Sequence, residues 1–238
     1  MRTLFIACMI LLTGTAAHAQ EWPRLADGRT VVTVRDVAIA FPSQGSDLTT
    51  ITFMTTNLAT NMKLAEVISF PEKARRYFTE KHDYFRITIP NGRNLTDLFL
   101  NRFDRNALYG LEFSVDFNQN NCRSWSSIYE KDRTQLAASH MPVDADGWAG
   151  FYFEKSPPTW HYIRAHDLPD VPRHFDSFVC DWAHQCTSTT CVGAKAAFTY
   201  RFDLVLHRRE RWSDLVLRAG EVFHYLFDVN NAPASSAQ

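Results

Sequence analysis

The sequence predicts an α+β fold, a largely antiparallel sheet with a C-terminal amphipathic helix packed on it. Late in the chain, Phe198, Tyr200, Phe202, Leu204 and Leu206 alternate with polar residues, the period of a strand with one buried face. Directly afterwards Trp212, Leu215, Ala219, Val222, Leu226 and Phe227 recur at helical spacing. Such a helix must bury its apolar stripe, most simply on the preceding sheet. The rest of the second half reads mostly as strands separated by short breakers, which favours antiparallel pairing.

The elements follow in order. Gln20 to Gly28 leads into the fold. Thr30 to Phe41, rich in Val and Ile, reads as one strand or two with a kink at Arg35-Asp36. Pro42 to Ser46 is a turn, and Thr49 to Thr56 a further strand. Asn57 to Ile68 is ambiguous, with helical spacing through Leu58, Met62 and Ala65. Pro71 opens a charged helix to about Lys81, because Pro fits a first helical turn and Glu72 suits the dipole there. Tyr84 to Ile89 is a short strand. A helix capped by Asn94 or Thr96 carries Leu95, Leu98, Phe99 and Phe103. Leu111 to Phe117 alternates cleanly as a half-buried strand. Asn118 to Gly147 reads as polar and irregular, with a short helix near Glu130 to Ala138, and is the best place for a boundary between halves 20–117 and 148–231 of a single domain, 20–231. Strands follow at Trp148 to Glu154, Trp160 to Ala165 and Phe175 to Trp182, and then a cysteine-rich loop. Residues 232–238 form a small polar tail expected to be disordered.

The first residues read as an address. Arg2 supplies a positive start, Leu4 to Leu12 is an apolar run of nine residues, and Ala17-His18-Ala19 fits the small-x-small rule for signal peptidase. Cleavage after Ala19 leaves Gln20 as the N-terminus and 219 residues, enough for one large domain. Nine apolar residues span only about half of a roughly 30 Å hydrocarbon core, so the run is too short for an anchor. No later run is long enough to span, and stable membrane insertion after cleavage is not expected. Losing Arg2 takes 25 basic residues to 24 against 26 acidic, a formal charge of −2. That is no electrostatic footprint for nucleic acid.

Cys8 lies inside the leader and leaves with it. Cys122, Cys180, Cys186 and Cys191 remain, and an even count in an oxidising compartment reads as two disulfides. Four cysteines allow three pairings. The reading leans to Cys186–Cys191 as a local bridge and Cys122–Cys180 as a long one, with the others open. A zinc site from Cys180, His184, Cys186 and Cys191 lacks the knuckle spacing.

Candidate chemistry is sparse. There is no GxSxG elbow, SxxK, HExxH or phosphate loop, and no cofactor is implied. His161, His166 and His174 cluster in sequence near Asp167, Asp170 and Asp176. They match no metal-ligand spacing, and they are the candidate catalytic residues of a hydrolase. Asp144 and Asp146 read as turn residues. Asn94-Leu95-Thr96 is a formal glycosylation sequon whose simpler role is a helix cap. Trp148, Tyr152, Trp160 and Tyr162 are candidate interface residues, since exposed Trp and Tyr often anchor partners. Their alternative is the core.

One layout stands out. A leader precedes Val32-x-Val34-x-Asp36-Val37-x-Ile39-x-x-Pro42. A strand carrying Cys180 then leads through a cysteine-containing loop to Phe198-x-Tyr200-x-Phe202-x-Leu204, and Trp212-x-x-Leu215 opens a terminal helix. This plan resembles periplasmic immunity proteins of the type VI secretion system, especially those paired with lipase effectors. The resemblance covers the ends of the chain and carries no residue roles. It implies a non-catalytic inhibitor that binds a toxin across an interface of about 1,600 Å². Candidate loops for it are 118–147 and 183–196. The sequence thus points to an exported, periplasmic or secreted, binding protein with a protein partner, a toxin or an envelope protein. A periplasmic hydrolase and a structural envelope-associated protein are the alternatives.

Overall fold

The computed structural model describes residues 21–42, 50–55, 58–79, 84–89, 111–117, 119–139, 142–154, 157–193, 196–207 and 211–228. The expected leader, most of the expected Pro42–Ser46 turn, the helix and sequon expected around 94–103, and the expected tail lie outside them.

The fold is α+β with the sheet dominant. Strands β1 (Thr30–Val34) and β2 (Val37–Phe41) form a hairpin. The kink expected at Arg35-Asp36 is a two-residue turn with both residues at positive φ, 47° and 71°, the backbone that a tight right-twisted hairpin requires. Then come β3 (Thr50–Thr55) and β4 (Leu58–Lys63), which lead into helices α1 (Leu64–Ser69) and α2 (Pro71–Thr79). The ambiguous segment is therefore strand first and helix second. Strands β5 (Tyr84–Ile89) and β6 (Glu112–Asp116) follow, then helix α3 (Gln119–Ser139). The second half supplies β7 (Trp148–Phe153), β8 (Thr159–Arg164), β9 (Ser177–Cys180), β10 (Gln185–Val192), β11 (Ala196–Asp203) and helix α4 (Trp212–Phe227).

Nine strands form one antiparallel sheet in the order β4-β3-β5-β6-β11-β10-β9-β8-β7. β6 from the first half pairs with β11 from the second, so the sheet runs unbroken through both expected halves.

Alternation along each strand gives the sheet two different faces. One carries Ile87, Phe113, Phe198, Tyr200, Phe202 and Phe178, all buried in the main core. The apolar stripe of α4 lies on it: Trp212 meets Phe178 edge-on at 4.9 Å, and Phe223 meets Phe198 at 5.5 Å. Burying each such ring is worth about 1.5–3 kcal/mol. The β1–β2 hairpin covers the same side, where Arg29 lies 4.4 Å above the Tyr225 ring and donates to its carbonyl. The Trp22 indole donates to the Val67 carbonyl at 2.8 Å, tying the leading segment to α1.

The opposite face holds α3. The chain from 118 to 147 is thus mainly a 21-residue helix and not an irregular stretch. Its inward face is Cys122, Trp125, Tyr129, Asp132 and Leu136, with Tyr129 and Leu136 packed on Ala149, Phe151 and Ile163. The expected cysteine-rich loop is also ordered strand, β10.

Both disulfides exist, with other pairings than the sequence favoured. Cys180 bonds Cys186, and Cys122 bonds Cys191. Cys186 and Cys191 share β10 at odd spacing, so they point to opposite faces about 16 Å apart and no bridge can join them. Cys186 instead lies directly across from Cys180 in the β9–β10 register. Cys191, on the other face, meets Cys122 of α3.

Candidate functional site

Packing of α3 on β7 and β8 creates a part-buried polar relay. Asp132 is fully buried, and its Oδ2 lies 2.9 Å from Nδ1 of His161. Nε2 of His161 lies 3.3 Å from Oγ1 of Thr159, two residues back on the same face of β8. The Phe153 ring covers the imidazole at 4.4 Å. Carboxylate, imidazole and hydroxyl are thereby held in series, the order in which a triad moves a proton. The second Asp132 oxygen has no hydrogen-bond partner.

The other two candidate histidines lie apart from this relay. His166 is exposed, and its carbonyl accepts from Arg164. His174 is buried at φ +81° with its ring 4.5 Å from Tyr129, and neither ring nitrogen has a hydrogen-bond partner. Burial, reinforced by the Arg173 charge, pushes the His174 pKa down. Asp167 and Asp176 do not approach the histidines as ligands. Both bind Arg133, which also donates to the Tyr129 hydroxyl at 2.9 Å and the Ala165 carbonyl at 3.1 Å. Burial raises the Asp176 carboxyl to about 6 against the pull of Arg133, and burial also raises the Tyr129 hydroxyl. This cluster straps the loop between β8 and β9 to α3. No group of three or more His, Cys, Asp or Glu that could hold a metal occurs among the described residues.

Beside α3 the same sheet face forms an open polar groove of about 340 Å³. Trp125 flanks it, Thr159, Thr187, Thr189 and Thr199 floor it, and the Arg86–Asp116 ion pair, 2.6 Å, closes one side.

Among the described residues Phe70 and Val143 stand exposed singly, and exposed apolar side chains on paired strands and their turns occur at two places. At one end of the sheet, the β9–β10 turn presents Trp182, 67% exposed, and the turn after β11 presents Val205 and Leu206, 75% and 55% exposed. Leu204 N–H donates to the His184 carbonyl at 2.9 Å, which joins the two turns. Asp181 Oδ1 accepts from Ala183 and Gln185 inside the first, and the Cys180–Cys186 bridge closes its base. The second place is the β7 edge. Tyr152 is 57% exposed and lies 5.2 Å from Trp160, while Tyr162 leans over Gly150. Of the four aromatic interface candidates, Trp148 is core, packed on Phe178 at 4.9 Å. Trp160 and Tyr162 are half-buried.

Asp144 acts as a turn residue: its Oδ1 accepts from Asp146 at 3.1 Å and Trp148 at 2.7 Å. Sequence reasoning missed Asp132, Thr159 and Trp182. Only Trp182 had a local signal, an aromatic beside a polar turn.

No family model, curated protein or solved structure matches this chain. No helix among the described residues is long and apolar enough to cross a membrane.

Proposed function

We propose that this chain is an exported protein that neutralises a secreted antibacterial toxin by direct binding in the periplasm. The observation that carries the reading is the apolar end of the sheet, where Trp182, Val205 and Leu206 stand exposed on two joined turns. Clustered, exposed large apolar side chains mark partner surfaces, and Trp is the residue most enriched among binding hot spots. The Cys180–Cys186 bridge holds the first turn before contact, which lowers the ordering cost of binding. Two disulfides also suit an oxidising compartment. The loops expected to bind, 118–147 and 183–196, are largely α3 and β10, and the proposed surface moves to the turns beside β10. The test is co-purification of the mature protein with the product of an adjacent toxin gene. A complex that Val205→Asp abolishes, with the fold intact, supports the reading. Absence of any complex contradicts it.

A second reading, a periplasmic hydrolase, is favoured by the Asp132–His161–Thr159 relay alone. It predicts that a fluorophosphonate probe labels Thr159 covalently and that His161→Ala prevents labelling. No adduct at Thr159 would remove this reading.

A further inference from the structure

The outer edge of β7 is bare where folded chains usually guard one. Ala165 N–H donates to the Gly147 carbonyl at 2.8 Å, so Gly147 faces β8. In an antiparallel ladder, residues alternate between facing the neighbour and facing away. Ala149, Phe151 and Phe153 therefore bond β8, and Trp148, Gly150 and Tyr152 turn their backbone groups outward. Trp148 is already capped: its N–H donates to Asp144 Oδ1 at 2.7 Å, and its carbonyl accepts from Asp144 N–H at 3.0 Å. Gly150 and Tyr152 are exposed, and among the described residues nothing pairs their outward N–H and C=O groups. β7, Trp-Ala-Gly-Phe-Tyr-Phe, carries no charge, no proline and no inward lysine, the usual defences of an edge. At the opposite edge, β4 ends in exposed Asn61 and Lys63.

We propose that this edge pairs antiparallel with β7 of a second copy of the chain, joining two nine-stranded sheets into one. The free groups favour this occupant. A two-fold register that sets Gly150 opposite Tyr152 of the second copy, and Tyr152 opposite its Gly150, uses all four outward groups of each strand. Directly opposed residues share a face. Tyr152 of the second copy then lies beside Gly150, on the face where Tyr162 already leans: a Cβ at Gly150 would come within 3.0 Å of the Tyr162 ring. The result is a row of aromatic rings across the junction, with each glycine shielded by a tyrosine. A neutral strand meets its own copy without setting like charges face to face. Trp182, Val205 and Leu206, the proposed toxin surface, take no part.

Sedimentation of the mature chain over a range of concentrations tests this, together with amide exchange followed by NMR. The expected result is a monomer–dimer equilibrium in which the Gly150 and Tyr152 amides become protected as the dimer forms. Phe151 and Phe153 amides stay protected throughout, because β8 already holds them. Tyr152→Lys sets a charge at the junction and yields a monomer with the same fold. Tyr152→Pro, which removes the outward donor together with the ring and leaves the β8-facing bonds of Phe151 and Phe153 in place, does the same. A wild-type chain that stays monomeric at all concentrations would overturn the proposal. So would a dimer that survives Tyr152→Lys, or one in which the Gly150 and Tyr152 amides exchange freely. Trp182→Ala leaves the dimer unchanged, so loss of toxin binding and loss of dimerisation are separable.

Discussion

His174 and Asp176 pull the acid stability of this chain in opposite directions. His174 is neutral and buried, with its pKa pushed below the ordinary 6.5 first by burial and then by Arg173. Below about pH 6.5 the unfolded chain gains a proton there that the folded chain resists, so His174 stabilises above that pH and the contribution is lost as pH falls. Asp176 has the other sign. Its carboxyl is raised by burial from 3.8 to about 6, so the folded chain takes up a proton first, and this contribution is lost as pH rises through that window. Replacing His174 with Asn, which tolerates the positive φ, removes only the first effect. Urea denaturation of His174→Asn between about pH 7 and pH 5.5 is expected to show a shallower loss of stability than the wild type. Parallel curves would contradict the assignment. None of this was readable from spacing. His161, His166 and His174 look equivalent in sequence, and only the fold gives one a carboxylate, one solvent and one a strained burial. Asp132 lies 29 residues from His161, a separation that only the packing of α3 on β8 closes.

At the scale of elements, apolar periodicity was legible wherever the faces were cleanly divided. β6 and α4 are such cases, and their expected spans match closely. β11 also forms but ends at Asp203, so Leu204 and Leu206, read as its last alternating residues, lie in the turn beyond it, where Leu206 is exposed. α3 was hidden because its inward stripe is Cys122, Trp125, Tyr129, Asp132 and Leu136: the steps of three and four are there, but the chemistry is mixed. β10 was hidden for a related reason. Its buried residues include Ser188 and Thr190, whose hydroxyls are satisfied by the His174 and Arg173 carbonyls at 3.1 and 2.6 Å. Only the run of β-branched threonines signalled a strand. Missing β10 also misplaced the bridges, since residues read as a loop carry no facing rule. The observed pairing has a measurable consequence. Cys122–Cys191 spans 69 residues and Cys180–Cys186 spans 6, which chain entropy converts to about 4 and about 2 kcal/mol. Guanidinium denaturation of the Cys122→Ala/Cys191→Ala pair is expected to show the greater loss. A greater loss for Cys180→Ala/Cys186→Ala would mean that strain or residual structure outweighs loop closure.

At the scale of the molecule, the described residues are organised around one nine-stranded antiparallel sheet that is sheathed unequally. Its aromatic face lies under α4 and the β1–β2 hairpin, and its polar face lies partly under α3, beside an open groove. The sequence conveyed the α+β class and the terminal helix. It could not convey strand order, because the β6–β11 pairing joins residues more than 80 apart and leaves no local trace. Nor could it show that Trp148 fills the core while Trp182 stands in solvent, since both are tryptophans followed by alanine and within two residues of an aspartate. That difference directs the functional reading to the end of β9, β10 and β11. The most direct test is calorimetric titration of the adjacent gene's toxin into the mature wild-type protein and into Trp182→Ala. The expected result is a one-to-one complex that Trp182→Ala weakens by roughly 2 kcal/mol, about thirtyfold, with thermal stability unchanged. Equal affinity for the two proteins, or no heat of binding with the wild type, would contradict the account.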